Sequence, residues 1–124
     1  MIQSNGNNSA AQDGSFVRWN PNNEEVAGNS RPSFVGLGHE LAHVQDSWNK
    51  TLNNSPWFRL NTASIPKSEI CATFIENKIR AEHNLPLRRN YAFDPLGNPQ
   101  GSSILFKNSR QSRYYDSSGN HNVN

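Results

Sequence analysis

The sequence predicts a small α+β domain made of two amphipathic helices and a short β-sheet. Three observations carry this. Apolar residues recur at i, i+4, i+7 and i+11 within residues 31–49. A second helical pattern runs from about Ser68 to His83, bounded by Pro66 and by Asn84-Leu85-Pro86. Short β-prone runs stand at Ser15-Phe16-Val17-Arg18-Trp19 and Ser103-Ile104-Leu105-Phe106. A chain of 124 residues is expected to form one domain. We place it at residues 15–107, after a flexible leader (1–14) and before a C-terminal tail (108–124).

The hydrophobic share is 33%. Even with glycine added it falls below the ~45–50% of ordinary globular chains. The core must be thin, and a bound metal would help to stabilise it. Nineteen asparagines favour turns and caps. A net charge of +2, from 12 basic and 10 acidic residues, argues for neither a nucleic acid nor a membrane surface as partner. The single cysteine, Cys71, excludes an intrachain disulfide. No apolar run approaches the ~18 residues of a membrane span. The first residues lack the basic-then-apolar order of a Sec signal peptide. Export by another machine, or as part of a larger polypeptide, stays open.

In chain order, residues 1–14 offer almost nothing to bury. The run 15–19, stopped by Asn20-Pro21-Asn22-Asn23, reads as an edge strand, and Glu24 to Ser30 as a polar loop. The first helix starts near Arg31-Pro32-Ser33 and reaches Trp48 or Asn49. Leu37, Leu41, Val44 and Trp48, with Phe34 nearby, form its apolar stripe, and His39, His43 and Asp46 fall opposite. Gly36 and Gly38 each cost about 1 kcal/mol of helix stability, a cost that marks either close packing or a metal-proximal backbone. Residues 49–66 read as a polar connection. Its apolar patch Trp57-Phe58-Arg59-Leu60 is either core packing or a cleft wall. On the second helix Ile70, Cys71, Phe74, Ile75 and Ala81 form a broad apolar side. Glu69, Thr73, Glu76 and Arg80 form a polar stripe at i, i+4, i+7 and i+11. A Pro/Gly-rich turn region follows at 94–101. The tail, with Tyr114-Tyr115, is either disordered or clasps the domain.

The chemistry concentrates at Gly38-His39-Glu40-Leu41-Ala42-His43, which reads H-E-x-x-H. On a helix, histidines four apart share a face and can reach one Zn²⁺ at about 2.0–2.1 Å. Glu40 then lies beside the open side of the metal, where it can take a proton from water and return it. That is the arrangement of zinc metalloproteases, whose peptide substrates usually add as a strand against an edge; the run 15–19 is either such an edge or a strand that only closes the core. A catalytic zinc needs a third protein ligand. Glu69 is the first choice, Glu76 the second, with His83 and Asp46 behind; Asp46 is also a candidate acceptor for a ligand imidazole N–H. His83 and His121 read as bystanders. For stabilising the oxyanion, Tyr91 leads, followed by Arg89 and Arg88.

The pattern Arg31-Pro32, Val35 through His43, then Glu69, Glu76-Asn77-Lys78-Ile79-Arg80-Ala81-Glu82, Leu85-Pro86-Leu87-Arg88 and Tyr91 resembles the NleD-type effector zinc metallopeptidases. The resemblance covers roughly residues 31–91. That family includes bacterial type III effectors and toxin domains at the ends of Rhs-type polymorphic proteins. The resemblance implies a zincin-like, gluzincin-like site: His39 and His43 as ligands, Glu40 as catalytic acid/base, and a downstream Glu, matched to Glu69, as third ligand. It also implies a protein substrate inside a target cell, delivery there from a bacterium, and, for a toxin domain, a cognate immunity protein. The expectation is therefore a zinc endopeptidase. Its rivals are a metal-dependent hydrolase of a non-peptide amide and a non-catalytic zinc-binding module with four protein ligands.

Overall fold

The computed structural model describes residues 7–26, 29–60, 63–116 and 118–120. Two helices form its centre: α1 (Ser33–Trp48) and α2 (Ser68–Glu82). Strands β1 (Ser9–Ala10), β2 (Val17–Arg18), β3 (Glu25–Val26) and β4 (Asn29–Ser30) precede α1. Strands β5 (Pro56–Leu60) and β6 (Ala63–Pro66) lie between the helices, and β7 (Ala92–Phe93) and β8 (Pro99–Gln100) follow α2. Among the described residues the strands pair as four separate antiparallel two-stranded ladders, β1-β2, β3-β4, β5-β6 and β7-β8. The architecture is α+β, as expected, but the single short sheet is replaced by four hairpins.

Both helices end in the same device. At the end of α1, Lys50 takes φ 59°, and Lys50 N and Thr51 N donate to Ser47 O and Asp46 O at 3.1 and 2.9 Å. After α2, Asn84 takes φ 58°, and Asn84 N and Leu85 N donate to Ala81 O and Arg80 O at 3.2 and 2.8 Å. These are Schellman closures, each with a non-glycine residue in the left-handed position.

The helices run antiparallel. Phe34 meets His83 (ring centroids 4.9 Å apart), Gly38 meets Ile79, and His39 meets Glu76. A Cβ on Gly38 would lie 2.3 Å from Ile79 Cδ1, and one on Gly36 would lie 2.6 Å from Asn8 Nδ2. The two glycines therefore sit at close approaches, which accounts for their cost to the helix.

The faces of α1 differ from expectation. Leu41 and Phe34 are about half exposed and Trp48 is 71% exposed, whereas Val35, His39, Glu40, Ala42 and Val44 are buried. The histidine face, not the Leu37-Leu41-Trp48 stripe, turns inward. The cause lies on α2, whose polar stripe is its buried side: Glu69, Thr73, Glu76 and Arg80 are each 8% exposed or less. Charge pairing across the helix interface takes the place of a larger apolar core.

The segments expected as leader, connection and tail all contribute structure. Residues 9–10 pair with β2, and Ser47 Oγ and Trp48 Nε1 donate to Gln12 O and Gly14 O at 2.6 and 3.0 Å. The connection 49–66 contains the β5-β6 hairpin, and the loop 24–30 contains β3-β4. The run 103–106 is not a strand. Leu105 makes one isolated bridge to Ser112, with Ile104 and Leu105 buried. The tail clasps the domain through Tyr115, which stacks on Phe74 at 4.6 Å. Residues 1–6, 117 and 121–124, His121 among them, fall outside the described residues.

Candidate active site

The inward face of α1 and the first turns of α2 meet at the wall of a cavity of about 570 Å³. His39, Glu40, His43, Glu69, Arg31, Arg88 and Tyr91 line it, together with residues 7–12 around β1. The helical spacing brings the two imidazoles to a centroid separation of 5.1 Å. Glu69, in the first turn of α2 where a carboxylate also suits the helix dipole, faces both. Its Oε1 lies 2.5 Å from His43 Nε2 and 3.4 Å from His39 Nε2. Ligand atoms of His39, His43 and Glu69 all lie within 4.8 Å of one another. Two ligands of one tetrahedral zinc at about 2.0–2.1 Å bonds stand about 3.3 Å apart. Two imidazole nitrogens and a carboxylate at such spacing are a donor set that suits zinc. Among the described residues this group has three members, which leaves a tetrahedral ion one open position.

Glu76 is placed differently from Glu69. Its Oε1 lies 2.9 Å from His39 Nδ1, on the opposite side of the ring from Glu69. Arg31 and Arg88 donate to the same oxygen at 3.1 and 2.8 Å, and Arg80 Nε donates to Oε2 at 2.8 Å. Glu76 thus takes the place behind a histidine for which Asp46 was a candidate. Asp46 instead accepts from Thr51 Oγ1 at 2.8 Å and lines a separate cavity with Cys71. There burial, the Asp46 charge and its hydrogen bond push the Cys71 thiol up to about 11.

The electrostatics sort the carboxylates. Burial raises Glu40, with the nearby histidines opposing. Burial also works to raise Glu69 and Glu76. Hydrogen bonds from His39 and His43 outweigh it at Glu69, as do the His39 bond and the Arg88 charge at Glu76, so both end well below the usual carboxylate range. Burial would lower His39, but its bonds to Glu69 and Glu76 bring it up to about 9.

Tyr91 is in the cavity wall. Burial raises its phenol, and the Glu69 charge and a hydrogen bond to that carboxylate add to the effect. Trp57 and Phe58 pack against its ring (centroids 6.2 and 6.5 Å away), so these two support Tyr91 and do not line the cavity. Of the two arginines ranked behind Tyr91, Arg88 is bound to Glu76 and to Tyr91 O at 2.6 Å. Arg89 points away, to Phe106 O and Ser109 O. His83 is at the end of α2 against Phe34, remote from the cluster.

Two contributors escaped the sequence reading. Residues 7–12 line the cavity, and nothing in an Asn/Ser/Ala/Gln run marks them. Arg31 joins the Glu76 network. A cation just before a helix N-terminus opposes the helix dipole, and that signal calls for a carboxylate partner.

A family model described as Peptidase_M91, effector protein, matches residues 2–91. No curated protein and no solved structure matches the chain. No described helix is long and apolar enough to cross a membrane.

Proposed function

The chain belongs to the Peptidase_M91 family of effector proteins, and on that premise we propose that it is a zinc endopeptidase that cuts a protein inside a target cell. The observation that carries this reading is the convergence of His39, His43 and Glu69 beside Glu40 in one cavity within the matched segment. His39 and His43, each through Nε2, and the Glu69 carboxylate would hold the ion. Zinc bound there supplies Lewis acidity to the scissile carbonyl and to the attacking water.

The protein's own groups do the rest. Glu40 accepts the proton of the attacking water and passes it to the leaving amine, and its burial favours a carboxyl able to do both. The Tyr91 hydroxyl, beside Glu69, stabilises the developing oxyanion. The cavity is large enough for several residues of an extended peptide; β1 and β3 each line it with both of their residues, whereas the run 15–19, expected as the peptide-binding edge, does not. Delivery from a bacterium fits an effector, and a toxin domain of this kind would carry a cognate immunity protein. The three-member ligand group favours this reading over a closed structural zinc, which would require four.

The test is cleavage of a peptide library by the zinc-loaded chain, with Glu40→Gln as control. Internal peptide-bond cleavage by the parent and its loss in Glu40→Gln is the expected result. Equal cleavage by both would overturn Glu40 as acid/base. Parent activity confined to non-peptide amides would overturn the endopeptidase reading.

A further inference from the structure

His39 stands between two carboxylates: Glu69 at its Nε2 and Glu76 at its Nδ1. The second is the better held. Its side chain is fully buried, and Arg31, Arg80 and Arg88 converge on it from three segments of chain. We propose that Glu76 is the positioning residue of the site, accepting the His39 Nδ1–H so that Nε2 presents its lone pair towards His43 and Glu69. The inference rests on the reading of those three residues as metal ligands.

Geometry separates the two carboxylates. Both nitrogens of one imidazole cannot serve the same ion, so the carboxylate at Nδ1 is excluded from the ligand set while it fixes the ring. The arginines prevent Glu76 from swinging towards the metal, because both of its oxygens are already engaged. One guanidinium would neutralise the carboxylate. Burying three is costly for a pair that serves stability alone, since each cation must be desolvated. The surplus has other uses. Arg80 NH1 donates to Pro86 O at 3.1 Å. Arg88 NH2 donates to Tyr91 O, and its guanidinium lies 5.3 Å from the Tyr91 ring centroid. Through Arg88 the same carboxylate sets the place of Tyr91. Arg31 ties it to the entrance of α1.

The test measures zinc affinity of the full chain by competition with a chromophoric chelator, beside the His39 Nδ1 proton resonance of the zinc-loaded protein. Glu76→Gln is expected to weaken zinc binding by about 10–100-fold and to shift that resonance upfield. Arg89→Gln removes bonds to Phe106 O and Ser109 O and touches neither Glu76 nor the cavity. It is expected to lower the melting temperature while leaving zinc affinity and the His39 resonance as in the parent. If Glu76→Gln does not fold, Glu76→Asp, which keeps the charge but shortens the reach, takes its place with the same expectation. A Glu76 variant that binds zinc as tightly as the parent would overturn the inference and leave the metal site standing. So would a loss of affinity that Arg89→Gln matches. A parent that binds no zinc would overturn the metal-site reading itself.

Discussion

Glu40 is raised by burial, whereas Glu69 and Glu76 are held low by the imidazoles and guanidiniums around them. Three carboxylates within one cavity wall and the layer behind it are thus tuned apart, as the proposed division into proton carrier, ligand and support requires. At Glu40 the consequence is kinetic. Positioned acid–base groups contribute about 10²–10⁴-fold. Glu40→Gln, which keeps the volume but cannot carry the proton, is expected to lower the turnover number by that order. Single-turnover measurement on zinc-loaded protein checks it. That His39, Glu40 and His43 share the cavity wall could be read from the sequence because their relation is local, a spacing of one helical turn. Glu69 could be nominated because α2 places it opposite. The place of Glu76 behind His39 could not be read, because it depends on Arg31 and Arg88, 45 and 12 residues away along the chain.

At the scale of elements, both helices form within a residue or so of where their periodicity and stop signals put them. The orientation of α1 was misjudged for a physical reason. Hydrophobic periodicity assumes that the apolar side is the buried one, but here the polar stripe of α2 provides the partner, leaving Leu41 and Trp48 outside. The β5-β6 hairpin was hidden by prolines at both ends of a run that pairs Pro56 with Pro66. The helix ends carry a prediction. Lys50 holds a left-handed conformation that costs a non-glycine residue roughly 1–2 kcal/mol. Lys50→Gly is expected to recover up to about 1 kcal/mol of that, net of the extra entropy of an unfolded glycine. Chemical denaturation with an unchanged m-value would check the gain.

For the whole molecule, a thin core joined by buried charge pairs makes stability depend on pH. Glu69 and Glu76 are depressed from 4.5, so their contribution is present above that value and is lost as pH falls. His39 is raised from 6.5 to about 9, so its contribution is full below pH 6.5 and is lost as pH rises towards 9. The metal-free chain is therefore expected to melt highest between about pH 4.5 and 6.5, with the melting temperature falling on both sides. A melting series across pH 3–10 in chelator would show it, and a flat profile would contradict it. Zinc should extend the alkaline side, because an ion at Nε2 takes the place of the proton.

The most direct test is metal content by plasma mass spectrometry on the purified chain, beside Glu40→Gln and Glu69→Ala. We expect about one zinc per chain in the parent and in Glu40→Gln, and little or none in Glu69→Ala, as an open three-ligand site requires. A parent that carries no zinc after reconstitution would contradict the metallopeptidase account. Full zinc retention in Glu69→Ala would contradict the assignment of its third ligand.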